Sequence, residues 1–337
     1  MTHELKKIIQ SYETARDEGI AAVLATVVAL RGSSYRRPGV RMLILENGNM
    51  VGAVSGGCVE KEIVHQAGSV FNTSIPKIMT YDGRYRLGCE GILYILIEPF
   101  RPDNTFLKNF RQTLKARHSY GITSHFMDEE GTDVTYGSVF NFEEVEIPLR
   151  PDFKPVAGPK IFRQEMSPCF RLCILGAEHD AVQLCTYAAL TGWEVIMVVP
   201  PDEQKSLSDF PGAHEFIPVL PEAFRIDGID QQTAVVLMTH SYVKDLKFLL
   251  KLKDAQPVYL GLLGPATRRE KLLAEFLELC PEVSDRFFDP MYGPAGLALG
   301  AETPQEIAIA VLSEIISVVR EQEPMSLKDK KGTIHSR

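Results

Sequence analysis

Short apolar runs alternate with helical segments from Cys169 onward, and this alternation limits the fold more than any other feature of the chain. Residues 171–175, 194–199, 233–238 and 257–260 read as strands. Helices are expected over 180–191, 242–253 and 267–279, with a closing helix from Thr303 to about Arg320. Thr303 suits the N-cap, Pro304 the first helical position, and Glu306 completes a capping box. Strands joined through helices pair in parallel, so residues 169–320 are expected to form a Rossmann-like, doubly wound parallel sheet. The polar tail at 321–337 is expected to fray.

Such sheets bind ligands at the carboxyl ends of their strands. Here the first strand-to-helix turn reads Leu175-Gly176-Ala177-Glu178-His179-Asp180. It keeps one fingerprint glycine, Gly176, and places Glu178 where a pyrophosphate would approach. Pro200-Pro201 end the second strand, with Asp202 just beyond. His179, Thr239 and His240 complete the candidate ligand residues of this half, although a surface histidine and helix-leading polar residues are the simpler readings. NAD(P) is therefore carried as an alternative ligand, and an NAD(P)-dependent oxidoreductase as the alternative function.

The first half reads differently. Leu5, Ile8, Ile9 and Tyr12 mark a helix, and residues 21–30 a buried strand. Residues 40–46 and 50–54 flank Asn47-Gly48-Asn49, a hairpin signal. A helix over 59–71 and strands over 77–81 and 91–98 follow. The overall class is α/β: a small α+β domain over 1–100, a connecting segment with a short helix and strands over 101–168, and the parallel-sheet domain. Prolines in 150–155 and at Pro168 read as linker.

The chemistry concentrates in Ser55-Gly56-Gly57-Cys58-Val59-Glu60. Two glycines let the backbone approach a ligand closely. A thiol at a helix start is favoured as thiolate, and the free N–H groups there suit a phosphate. Glu60 reads either as a general base or as a first-turn acid favouring the helix dipole. Arg36, Arg37 and Arg41 can recognise phosphate or carboxylate, or else sit as solvated loop charges. Cys89 lies between glycines in Leu87-Gly88-Cys89-Glu90-Gly91. Cys169, Cys173, Cys185 and Cys280 read as core.

A net charge of −8 argues against a general nucleic-acid role. The six cysteines show no zinc or iron–sulfur spacing. Ile20 to Leu30 is too short to span a bilayer, which takes about 20 residues. No signal peptide is evident, so a cytoplasmic protein with reduced thiols is expected.

Together these segments resemble the xanthine dehydrogenase accessory proteins of the XdhC/CoxI type. The resemblance rests on residues 32–39 with Arg41-Met42, on Ser55 to Glu60, and on Leu87-Gly88-Cys89. In the second half it rests on Met238-Thr239-His240, on residues 259–264 and on residues 300–308. It implies a maturation factor that binds molybdenum cofactor, a pterin dithiolene bearing a phosphate. Such a factor assists sulfuration with a cysteine desulfurase and inserts the cofactor into an apo molybdenum hydroxylase of the xanthine dehydrogenase type. It is then a chaperone more than a catalyst. Cys58, with Glu60, would act on the cofactor and Cys58 would meet its metal. Ser55, Gly56, Gly57, Arg36, Arg37 and Cys89 would hold it. A homodimer is the expected assembly.

Overall fold

The computed structural model describes residues 1–32, 37–55, 57–83 and 91–331, with Cys58 described by its backbone alone. It divides the chain into two compact units, Met1–Pro168 and Cys169–Arg337.

The first unit runs α1 (Thr2–Asp17), β1 (Ala22–Arg31), β2 (Arg41–Leu45), β3 (Met50–Gly52), α2 (Cys58–Thr73), β4 (Lys77–Asp82) and β5 (Ile92–Pro99). It continues through α3 (Asn104–Ala116), β6 (Tyr120–Phe126), β7 (Gly131–Thr132), β8 (Gly137–Phe142), β9 (Val145–Pro148) and β10 (Lys160–Met166). A six-stranded sheet has the order β3-β2-β1-β5-β4-β7, and a four-stranded sheet the order β10-β6-β8-β9. Every pairing in both is antiparallel. β1 is buried along most of its length because both faces are covered. Val23, Ala25 and Val27 pack with Val59, Ile63, Ala67 and Val70 of α2. Leu24 joins a second cluster with Leu5, Ile8, Ile9 and Tyr12 of α1.

Residues 101–168, expected as a connector, lie inside this unit. Phe106 and Phe110 of α3 pack edge-to-face with Tyr120, Phe140 and Phe142 of the second sheet. They share the cluster that α1 closes. The proline-rich segment is also packed: Phe153 is buried, and Arg150 donates from Nη2 to the carbonyls of Val134 and Tyr136. The unit's two chain ends meet, since Thr2 Oγ1 donates to the Ser167 carbonyl at 2.5 Å.

The second unit contains β11 (Arg171–Leu175), α4 (His179–Leu190), β12 (Glu194–Val199), β13 (Ala213–Pro218), β14 (Thr233–Leu237) and α5 (Tyr242–Leu252). β15 (Tyr259–Leu262), α6 (Ala266–Leu279), β16 (Met291–Tyr292) and α7 (Pro304–Val319) complete it. The sheet order β13-β12-β11-β14-β15-β16 is that of a Rossmann fold, and all of its pairings are parallel. Leu172 and Ile174 of β11 face α4 and α7, while Cys173 and Leu175 face α5 and α6. The chain's one tryptophan, Trp193, packs on Phe170 in this unit. The capping box at α7 forms as expected: Thr303 Oγ1 accepts from Glu306 N, and Glu306 Oε2 from Thr303 N. The edge strand β13 is not expected from sequence.

Candidate functional site

In the first unit, Gly57 and Cys58 form the head of α2. Gly57 is the N-cap, at φ +122°, and Cys58 opens the helix one residue before the expected start. Glu60 fixes the turn that leads in. Its Oε1 accepts from the N–H groups of Val54 at 3.1 Å and Ser55 at 2.6 Å, and Oε2 from Gly57 at 2.7 Å. This carboxylate is only 8% exposed. The three donors are ones that an incoming phosphate would otherwise meet, so Glu60 already fills the anion-binding concavity of the turn. A loop-capping role is what these bonds carry.

Beside this turn opens a cavity of 580 Å³ lined by Met42, Met50, Ala53, Ser55, Gly57, Glu60, Lys61 and Val64 among others. Its walls are largely apolar. Lys61 adds an exposed ammonium with no ion pair among the described residues. Lys61 and the methionine wall are not singled out by sequence, where a helix lysine and two strand methionines carry no ligand signal.

Ser55, Gly57 and Glu60 are therefore brought together. Arg36, Gly56, Cys89 and the Cys58 side chain lie outside the described residues. Arg37 is exposed. Arg41, expected beside these arginines as an anion ligand, is 8% exposed. It donates from Nη1 to the Gly39 carbonyl and to Gln164 Oε1. Its place is the core, because β2 is covered on both faces. Burial lowers its pKa to about 10. Of the remaining cysteines, Cys169, Cys173 and Cys185 are buried, and Cys280 is partly so. Burial pushes the Cys173 and Cys185 thiols up to about 12, which keeps them protonated. Among the described residues, no group of three or more His, Cys, Asp or Glu side chains could hold a metal ion.

The second unit holds its own crevice, of 250 Å³, at the carboxyl ends of β11, β12, β13 and β14. Gly176 (φ +146°) is required there, since a Cβ would lie 2.3 Å from the Met238 carbonyl oxygen. Thr239 lines the crevice. Its Oγ1 donates to Asp245 Oδ1 at 2.6 Å, and Arg268 Nη2 donates to Asp245 Oδ2 at 2.6 Å. His240 takes a left-handed φ of +54°, with Nε2 3.7 Å from Asp180 Oδ2. His179 is exposed at the first position of α4.

The chain matches two family models, one described as the XdhC and CoxI family over residues 15–82 and one as the XdhC Rossmann domain over residues 172–315. It is 29% identical over 317 residues to a probable xanthine dehydrogenase subunit from Bacillus subtilis (strain 168), covering 88% of this chain and 92% of that protein. It is 26% identical over 331 residues to the molybdenum cofactor insertion chaperone PaoD of Escherichia coli (strain K12), covering 96% of this chain and 91% of that one. A crystal structure described as a xanthine dehydrogenase from Bacillus halodurans superposes with a TM-score of 0.76 at 26% identity, over 96% of this chain and 98% of the other.

Proposed function

We propose, on the premise that this chain belongs to the XdhC and CoxI family, that it binds molybdenum cofactor in transit and inserts it into a xanthine dehydrogenase-type molybdenum hydroxylase. One observation carries the reading: the cavity at the head of α2, where the thiol-bearing Cys58 opens the helix and Lys61 stands on a largely apolar wall. A flat pterin suits the methionine-lined face. The cofactor's phosphate suits Lys61, which acts as a point charge. Cys58 is the soft sulfur donor that a molybdenum centre would meet. Glu60 holds the turn that sets the position of Cys58, and Ser55 and Gly57 give the cofactor close backbone approach. Cofactor sulfuration by a cysteine desulfurase while this protein holds the cargo, delivery to the apo-enzyme, and a cytoplasmic homodimer are the finer parts of the same proposal. The competing oxidoreductase reading needs a path for a dinucleotide pyrophosphate, and Glu178 stands where that path would run.

The test is co-purification from a host that makes the cofactor. Molybdenum by mass spectrometry and pterin by oxidised fluorescence are read on wild type, Cys58→Ala and Lys61→Glu. Cofactor on wild type with loss in both variants is expected. Wild-type protein that takes up neither molybdenum nor pterin, even when mixed with isolated cofactor, sinks the proposal.

A further inference from the structure

The crevice lies within the second unit, and besides Thr239 and Lys244 its lining has three parts that bear on a ligand. Val198, Pro200, Val219, Leu220, Pro221 and Phe248 form an apolar slot. Phe248 is held edge-on against Phe224, with ring centroids 5.7 Å apart. Such a slot accepts a flat heterocyclic base. Next to it, Asp202 is exposed and has no hydrogen bond or ion pair among the described residues. It follows β12, where doubly wound folds place the acid that binds ribose hydroxyls.

The third part is the β11–α4 turn, and it differs from a dinucleotide site in two ways. Glu178 is the N-cap of α4 and lines the crevice, with its side chain making no capping bond. A carboxylate there repels a pyrophosphate. The loop after β12 is also tied down across the turn: Lys205 Nζ donates to the Ala177 carbonyl at 2.7 Å, and Lys205 N to Glu203 Oε1 at 3.0 Å. At 250 Å³ the space falls below the roughly 300–1,000 Å³ of pockets for drug-sized ligands, which is too small for a dinucleotide.

We infer that this crevice binds a ribonucleoside, with the base in the apolar slot and the ribose diol on Asp202, and that the Glu178 carboxylate and the small volume exclude a pyrophosphate although Lys205 and Lys244 stand nearby. The ligand is a free nucleoside or a nucleoside end whose 5′ side is uncharged.

The test is calorimetric titration of the full chain with adenosine, guanosine, cytidine and uridine. The best of these is then compared with its 2′-deoxy analogue, its 5′-monophosphate and NADH. At least one ribonucleoside is expected to bind. Its 2′-deoxy analogue should bind roughly tenfold to a hundredfold more weakly, and Asp202→Asn should cost a similar factor, because each removes a hydrogen bond to a charged acceptor. The monophosphate and NADH should bind more weakly than the nucleoside, and Glu178→Gly should narrow that gap. Asp202 and Glu178 are exposed, and unchanged Trp193 fluorescence melting confirms that both variants fold. No binding by any of the four nucleosides overturns the inference. So does NADH binding as tightly as the nucleoside, or indifference to the 2′-hydroxyl. None of these readouts depends on molybdenum, so the proposed function stands or falls separately.

Discussion

Glu60 carries the most structure for one side chain. Truncating it in Glu60→Ala leaves the N–H groups of Val54, Ser55 and Gly57 without their acceptor. The expected loss in urea unfolding is about 2 kcal/mol, with Glu60→Gln losing less because one oxygen still accepts. If Glu60 were a base instead, Glu60→Gln would abolish cofactor handling at unchanged stability. The first-turn role of Glu60 is legible in the sequence, since an acid three residues after a glycine N-cap is a local signal. Its bonds to Val54 and Ser55 are not, because they depend on how the loop folds back. Arg41 shows the opposite limit. In Arg41-Met42-Leu43-Ile44-Leu45 every residue is buried, so no alternation marks which side chains face the core, and a buried arginine reads like an exposed one.

Among elements, the β14–α5 connection is fixed by Asp245, which is 3% exposed. It accepts from Thr239 and from Arg268 of α6. Arg268→Leu strands a buried carboxylate and is expected to cost about 2–4 kcal/mol. Adding Asp245→Asn should recover part of that loss, a coupling readable as a double-mutant cycle in urea. The regular elements of the parallel sheet are legible because hydrophobic runs, helix periods and caps agree with one another. β13 is not, because Ala213–Pro218 is a largely exposed edge strand with no clean alternation. The second sheet of the first unit is legible in part, through β6 and β8, but its membership of that unit is not. The packing of Phe106 and Phe110 on Phe140 and Phe142 is long-range, and the nearby prolines read as linker.

For the whole molecule, one buried carboxyl ties stability to pH. Glu98 of β5 is fully buried and accepts from Ser138 N at 3.0 Å and Ser138 Oγ at 2.6 Å. Burial raises its pKa to about 7, against partial relief from Ser138, Arg150 and Arg41. A carboxyl whose pKa is raised by folding stabilises the fold at low pH. That contribution is complete below its unfolded value, near 4.5, and is lost as pH rises through about 7. Glu98→Gln should therefore gain on wild type between pH 4.5 and 7 by up to about 3 kcal/mol and then level off. The gain is read by urea unfolding followed by circular dichroism across this pH range, and a Glu98→Gln curve parallel to wild type would count against it. The Thr2 to Ser167 hydrogen bond, which spans 165 positions, sets an order of events during synthesis. The helix that leaves the ribosome early cannot be locked until the end of its unit has followed. At about 5–20 residues per second that is a wait of roughly 10–30 s. The apolar face of α1 can meet Leu24, Leu43 and Leu45 of β1 and β2 well before then, so the start of the helix is the part that is pinned last.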